Sequence, residues 1–214
     1  MRIEGFSGAD FDPLSRILGS AWHARHGSHS FWQGADELCE RLSNTDKGFV
    51  VRDDSGALVG AILLRSPREG DHNDTMRMHW LQQRTRLGAM AAALGINARA
   101  DVAYLGFEKE FVDKAQDELG SEDVGIIELL ILAPEAQGTG VGRKLFEMGV
   151  SWLRERGALT VRLLTDDECD WGFYEHMGMH RAMSRLMPEV EGSANTQDTD
   201  SSEDSDFYQY IYEL

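Results

Sequence analysis

The chain has 214 residues, 42% of them hydrophobic, and a formal net charge of −16 at pH 7. That length and apolar share suffice to bury the core of one domain over residues 1–214, and no apolar run approaches the roughly eighteen residues that span a membrane. The acidity speaks against nucleic acid, which demands clustered lysine and arginine, and favours a cationic partner.

The first residues, Met1 to Phe6, lack the apolar core of a signal peptide, and the only cysteines, Cys39 and Cys169, lie far apart, so reduced thiols and a cytoplasmic location are expected. Ile3 to Phe6 predicts a strand. Apolar spacing predicts helices over Pro13 to Ala24 and Ala35 to Leu42, and alternation predicts a hairpin of Phe49 to Arg52 with Leu58 to Arg65 across Asp53-Asp54-Ser55-Gly56. His23, His26 and His29 recur every three residues. Three-residue steps drift around a helix and no carboxylate partner is implied, so a solvated face is expected and no metal.

From Pro67 to Asp123 the pattern turns helical, with Met76 to Leu94 rich in Ala, Leu, Arg and Gln, and Phe107, Phe111, Ala115 and Leu119 spaced by four. Arg77, His79, Trp80, Arg84 and Arg86 are candidates either to face an acceptor molecule or to form a solvated helix side. These alanine-rich helices equally permit packing or self-association as a homodimer.

The run Gly125 to Leu132 reads as a buried central strand in which Glu128 is the only ionisable group. Burial raises a carboxyl pKa toward neutrality, which suits a general base; the alternative is a structural ion pair with an arginine such as Arg162 on the next strand. Pro134 to Leu145 then opens an amphipathic helix through Gln137-Gly138-Thr139-Gly140-Val141-Gly142-Arg143-Lys144. Glycines let successive amides converge, the helix start adds partial positive charge, and Arg143 and Lys144 add full charge, so the segment is an anion cradle. A Walker A loop requires G-x-x-x-x-G-K-[ST], which is absent, and the dinucleotide fingerprint fails because the third glycine arrives one residue early. A tight strand-to-helix turn is the structural alternative. The remaining elements are a helix Gly142 to Arg156, a strand Leu159 to Leu164, a helix Trp171 to Met177, a strand Arg181 to Met187 and a strand Phe207 to Tyr212. Between the last two lies an acidic stretch, 189–206, without apolar periodicity, which reads as a flexible loop. Cys169, near Tyr174, reads as a packed thiol.

Gln137, Gly140 and Gly142 form Q-x-x-G-x-G, and Phe173-Tyr174-Glu175-His176-Met177-Gly178-Met179 fits F-Y-x-x-x-G-[FM]. In that order the two motifs resemble the GNAT N-acetyltransferase superfamily. The resemblance implies an α/β (α+β) fold with a mixed, mostly antiparallel central sheet flanked by helices, here with a helical insertion, 67–123, between the third and fourth strands. It implies acetyl-coenzyme A as co-substrate, with the pyrophosphate on Gln137 to Lys144. Backbone groups of Leu130, Ile131 and Leu132 would meet the pantetheine and the thioester carbonyl, Tyr174 would be the acid and Glu128 the base. The acceptor would be a primary amine of a small molecule or peptide. The chain departs from the family where many members have an asparagine and an alanine before the second motif; Asp167 and Asp170 stand there, and Asp167 is carried over as a cofactor contact only in part. Arg162 occupies the place of a catalytic glutamate in another branch, so that route is closed. Two other readings stay open, a catalytically silent acyl-coenzyme A binding module and a nucleotide-binding protein of another fold.

Overall fold

Asp53 closes the predicted hairpin. Its Oδ1 accepts from the amides of Ser55 and Ala57, both at 2.9 Å, and Gly56 takes φ +88 to turn the chain between β2 (Lys47–Arg52) and β3 (Leu58–Arg65). The computed structural model describes residues 1–96, 102–120, 122–166, 169–186 and 206–214. The expected acidic loop, apart from the first residue of the last strand, lies outside them. With β1 (Arg2–Gly5), β4 (Val124–Leu132), β5 (Thr160–Asp166), β6 (His180–Leu186) and β7 (Asp206–Glu213), the hairpin builds a seven-stranded sheet of order β1-β2-β3-β4-β5-β7-β6. Every pairing is antiparallel except that of β4 with β5, which are joined through the helix α5 (Val141–Glu155).

Each sheet face carries its own core. On one face Ile62, Leu64, Ile127 and Val161 meet Leu145, Phe146 and Leu153 of α5, together with Tyr174 of α6 (Trp171–His176). On the other, Val50, Ala61, Leu63, Leu129 and Ile131 meet α1 (Phe11–Trp22) and α2 (Ser30–Ser43) through Leu14, Leu18 and Leu38. Each such leucine contributes about 1.5–3 kcal/mol by leaving water. α2 starts five residues before the expected Ala35. Gly34 weakens the helical pattern in the sequence, yet it is what lets the two helices touch: a Cβ there would lie 2.3 Å from the Ser15 carbonyl oxygen.

Between β3 and β4 lie α3 (Asp74–Ala93) and α4 (Val102–Leu119). α3 is anchored, not aimed at a ligand: Trp80 is buried and stacks on Phe11 at 5.5 Å and 15°, His79 packs edge-on against Trp80, and Arg84 donates two hydrogen bonds to Asp36, at 3.0 and 2.8 Å. Trp80 and Arg84 therefore fit neither the acceptor-facing nor the solvated expectation, whereas His79 stays exposed beside Trp80. His23 is likewise not solvated, since its Nε2 lies 2.9 Å from Glu37 Oε2 in a half-buried pair; the His26 side chain lies outside the described residues.

α4 covers the α2-side face of the sheet further along. Its Phe111 packs with Leu164, Met183 and Phe207, and Arg162 of β5 donates from Nη2 to the Leu119 carbonyl at 2.7 Å and from Nη1 to Ala115 at 3.5 Å. The buried guanidinium, whose pKa is pushed down by desolvation, thus caps the C-terminus of α4 instead of pairing with Glu128. Arg162→Met is expected to cost about 1–3 kcal/mol in a denaturant titration by stranding those carbonyls. Among the described residues no helix is long and apolar enough to cross a membrane.

Candidate active site

β4 and β5 pair only from Val124 with Thr160 to Ile127 with Leu163. Past that point β4 continues to Leu132 and β5 to Asp166 with no ladder between them, so the sheet splits into a V. Backbone alternation decides which groups line the gap. The Ala133 amide donates to Val59 at 2.8 Å, so Ile131, two residues earlier, also turns its backbone groups toward β3, opposite Ala61. Leu130 and Leu132 turn theirs into the gap. Gln137 Nε2 approaches the Leu132 carbonyl there at 3.5 Å.

The glycine loop follows directly. Gly138 and Gly140 have φ of +71 and +80, which side-chain-bearing residues adopt only with strain, and Gly140 is the N-cap of α5. Thr139 Oγ1 donates to the Ala136 carbonyl at 2.6 Å and fixes the turn. The amides of Val141, Gly142 and Arg143 head α5 and so lack carbonyl partners within the helix; the Lys144 amide donates to Gly140 at 3.3 Å. Gly142 serves packing: a Cβ would lie 3.1 Å from Leu132 Cδ1. Arg143 and Lys144 are exposed, and Arg143 Nη2 lies 3.0 Å from His176 Nε2. Past them a groove of about 320 Å³ runs along α5, with Phe146, Val150 and Tyr212 among its lining, Arg143, Arg154 and His176 as its basic groups and Glu147, 4.0 Å from Arg143, as its acidic one.

Glu128 sits at the apex of the split. Leu63 opposes Leu129 while Leu64 opposes Ile127, so Glu128 is the extra residue of a β-bulge. The bulge reverses the alternation: Gly125 and Ile127 face α5, whereas Leu129 and Ile131 face α1 and α2. The Glu128 side chain, 8% exposed, meets Arg65, whose Nε lies 2.9 Å from Oε1. The N–H is not aligned on that oxygen, which has no hydrogen bond. Burial pushes the carboxyl pKa up; Arg65 and Arg41 pull it down, and Glu108 and Asp46 add to the rise. The net direction is upward.

Tyr174 is buried in the α5-side core, its ring 5.5 Å from Phe173 and 6.0 Å from Tyr210. Burial pushes the phenol up, with smaller contributions from Cys169, Asp170 and Asp166, so it stays protonated at neutral pH at the open end of β5. Glu128 and Tyr174 therefore approach the split from opposite faces, with no contact between them among the described residues. The Cys169 thiol is pushed up to about 12, chiefly by burial, which leaves almost no nucleophilic thiolate. Asp167 lies outside the described residues. The bulge and the pairing of Glu128 with Arg65 had no sequence signal, because both depend on how β3 is matched to β4.

A family model for the Acetyltransferase (GNAT) family matches residues 11–179. Mycothiol acetyltransferase of Cellulomonas flavigena is 44% identical over 55 residues, which make up 26% of this chain and 16% of that protein, so the chain spans about a sixth of the relative it matches. The solved ribosomal-protein-S18-alanine N-acetyltransferase from Escherichia coli superposes with a TM-score of 0.53 at 13% identity, over 99% of this chain and 92% of that one. An aminoglycoside 6′-N-acetyltransferase complexed with coenzyme A gives 0.53 at 15% identity, over 100% and 97%. At these identities the structural likeness is one of fold.

Proposed function

We propose that this chain, which belongs to the GNAT family of acetyltransferases and is thereby an acyltransferase, moves the acetyl group of acetyl-coenzyme A to a primary amine of a small molecule or peptide by direct attack. The observation that carries this reading is the split between β4 and β5, which leaves the backbone groups of Leu130 and Leu132 without a strand partner among the described residues and ends on the glycine loop. An extended, amide-bearing arm fits such a gap as a strand would, and the donor set is right for it. The amides heading α5, with Gly138 and Gly140 holding the loop open and Arg143 and Lys144 alongside, suit the pyrophosphate. Gln137, Thr139, Val141 and Gly142 shape that loop. The groove along α5, where Arg143, Arg154 and His176 outnumber Glu147, suits the adenosine 3′-phosphate end.

The bound thioester supplies an activated acetyl carbonyl. Leu130 and Leu132 offer backbone amides to polarise its oxygen. Glu128, with its raised pKa and a free lone pair on Oε1, takes the proton from the acceptor's ammonium, directly or through water. As the nitrogen–carbon bond forms and the carbon–sulfur bond breaks, Tyr174 gives its phenolic proton to the sulfur. The free thiols Cys39 and Cys169 support a cytoplasmic setting. A thiol-release assay over a panel of primary amines tests the reading. Coenzyme binding without turnover of any amine would instead leave a silent binding module.

Gly140→Ala places a Cβ in open space but at φ +80. The strain costs about 1 kcal/mol and re-aims the amides behind it, so acetyl-coenzyme A is expected to bind about tenfold more weakly while the fold persists. Calorimetric titration checks this; unchanged affinity would remove the loop from the binding site.

A further inference from the structure

The α2-side mouth of the split is rich in carboxylates with too few donors. On the β4 lip, Glu128 is 8% exposed with Oε1 lacking a hydrogen bond. On the β5 lip, Oδ1 of Asp166 is also buried, without a hydrogen-bond partner among the described residues. Asp166 lies two residues beyond Leu164, which packs with Phe111 of α4, so strand alternation puts it on the same face, beneath α4. α4 contributes Glu108, whose Oε1 lies 3.1 Å from Arg41 Nη2, and the same nitrogen is 3.1 Å from Glu37 Oε1. Arg65 is the only cation within ion-pair reach of Glu128 among the described residues. One arginine therefore answers two carboxylates, and among the described residues Glu128 Oε1 has only the misaligned Arg65 N–H while Asp166 Oδ1 has no hydrogen bond, the Asp166 carboxylate otherwise meeting the Cys169 thiol. Buried acceptors without donors are costly, and the ligand that fills the space is the natural source of N–H groups and positive charge.

Resting on the acetyl-transfer reading above, we propose that the acceptor is doubly cationic: Glu128 receives the reacting amine and Asp166, on the opposite lip, receives a second ammonium a few carbon atoms away. Glu108 deepens the negative potential over both without touching the reacting nitrogen. Asp166 is then a specificity-determining residue, and no bond of the transfer reaction involves it.

The test is equilibrium binding, which is independent of turnover. Calorimetric titration of the coenzyme A complex with 1,4-diaminobutane and with butylamine is expected to give at least about tenfold tighter binding of the diamine, the discrimination a charge-assisted contact supplies. Asp166→Asn, which keeps shape and leaves no other described ion pair broken, is expected to bring the two amines to within about twofold. Equal affinities in the parent overturn the proposal without help from any variant, and so does a diamine preference that survives in Asp166→Asn. Failure of every amine to be acetylated, with the diamine preference intact, would count against the transfer reading and leave the ammonium site standing.

Discussion

Tyr174→Phe is expected to lower kcat about a hundredfold or more while acetyl-coenzyme A affinity stays within about twofold. The substitution deletes one oxygen and keeps the ring, so the contacts with Phe173 and Tyr210 survive. The direction of the Tyr174 shift sharpens the reason. A buried phenol held protonated keeps its O–H at every working pH, a constant source of a hydrogen bond for a sulfur that gains charge as it departs, with the proton following only as that charge builds. Stopped-flow detection of the released thiol isolates that step. An unaltered chemical step would return Tyr174 to a packing role. Added acceptors with more acidic ammonium groups should not rescue the variant, because the missing proton is needed at sulfur and not at nitrogen.

Glu128→Gln is expected to lower kcat/KM by about a hundredfold near neutral pH and to remove the acidic limb of its pH profile. If Glu128 is the base, as proposed, the parent requires the ionised carboxylate, whose pKa burial has raised, so its kcat/KM should fall as pH drops through that raised value; glutamine has no proton to gain. Loss of activity by the same factor at every pH would mark Glu128 as structural. Stability gives a second reading with a definite sign. Because the folded carboxyl binds its proton more tightly than the unfolded one, this group's stabilisation is full below the ordinary value of 4.5 and is lost as pH rises through the folded pKa. The melting temperature of the glutamine variant, relative to the parent, should therefore climb across that window.

The ladder of elements was readable because each rests on a local period. The hairpin at Asp53, the strand to Leu132 and the helix behind Gly140 all carry their own turn chemistry or alternation. What escaped was whatever depended on a partner distant in sequence. Glu128 reads as one more inward residue until Leu63 and Leu64 are laid against β4 and leave it without an opposite number. Arg162 reads as the nearest cation to pair with it, yet the carbonyl end of α4, more than forty residues earlier, claims the guanidinium. Trp80 and Arg84 carry the composition of a ligand-facing helix, and only the packing of α3 on Phe11 and Asp36 assigns them to the core. The glycine loop was recognisable because its shape is carried by main-chain geometry, which Gly138 and Gly140 declare directly. The proposed acceptor region resisted for the opposite reason: its carboxylates and arginines come from β3, β4, β5, α2 and α4, each contributing one or two side chains.

Two strand edges facing one another across an empty space are an unusual thing for a folded protein to keep. Elsewhere such edges recruit a neighbour's strand, and natural sheets guard them with charge, bulges or covering loops. Here the guard on the β4 side is its bulge, and α4 lies over one face. On the proposed function, the interval itself receives the pantetheine arm. The amides of Leu130 and Leu132 should accordingly exchange with deuterium freely in the unliganded chain and slow by orders of magnitude when the arm is seated, while the already paired Ile131 amide changes little. The co-substrate would then act as an eighth, removable strand, and the chain would be most prone to associate with its own kind when starved of it.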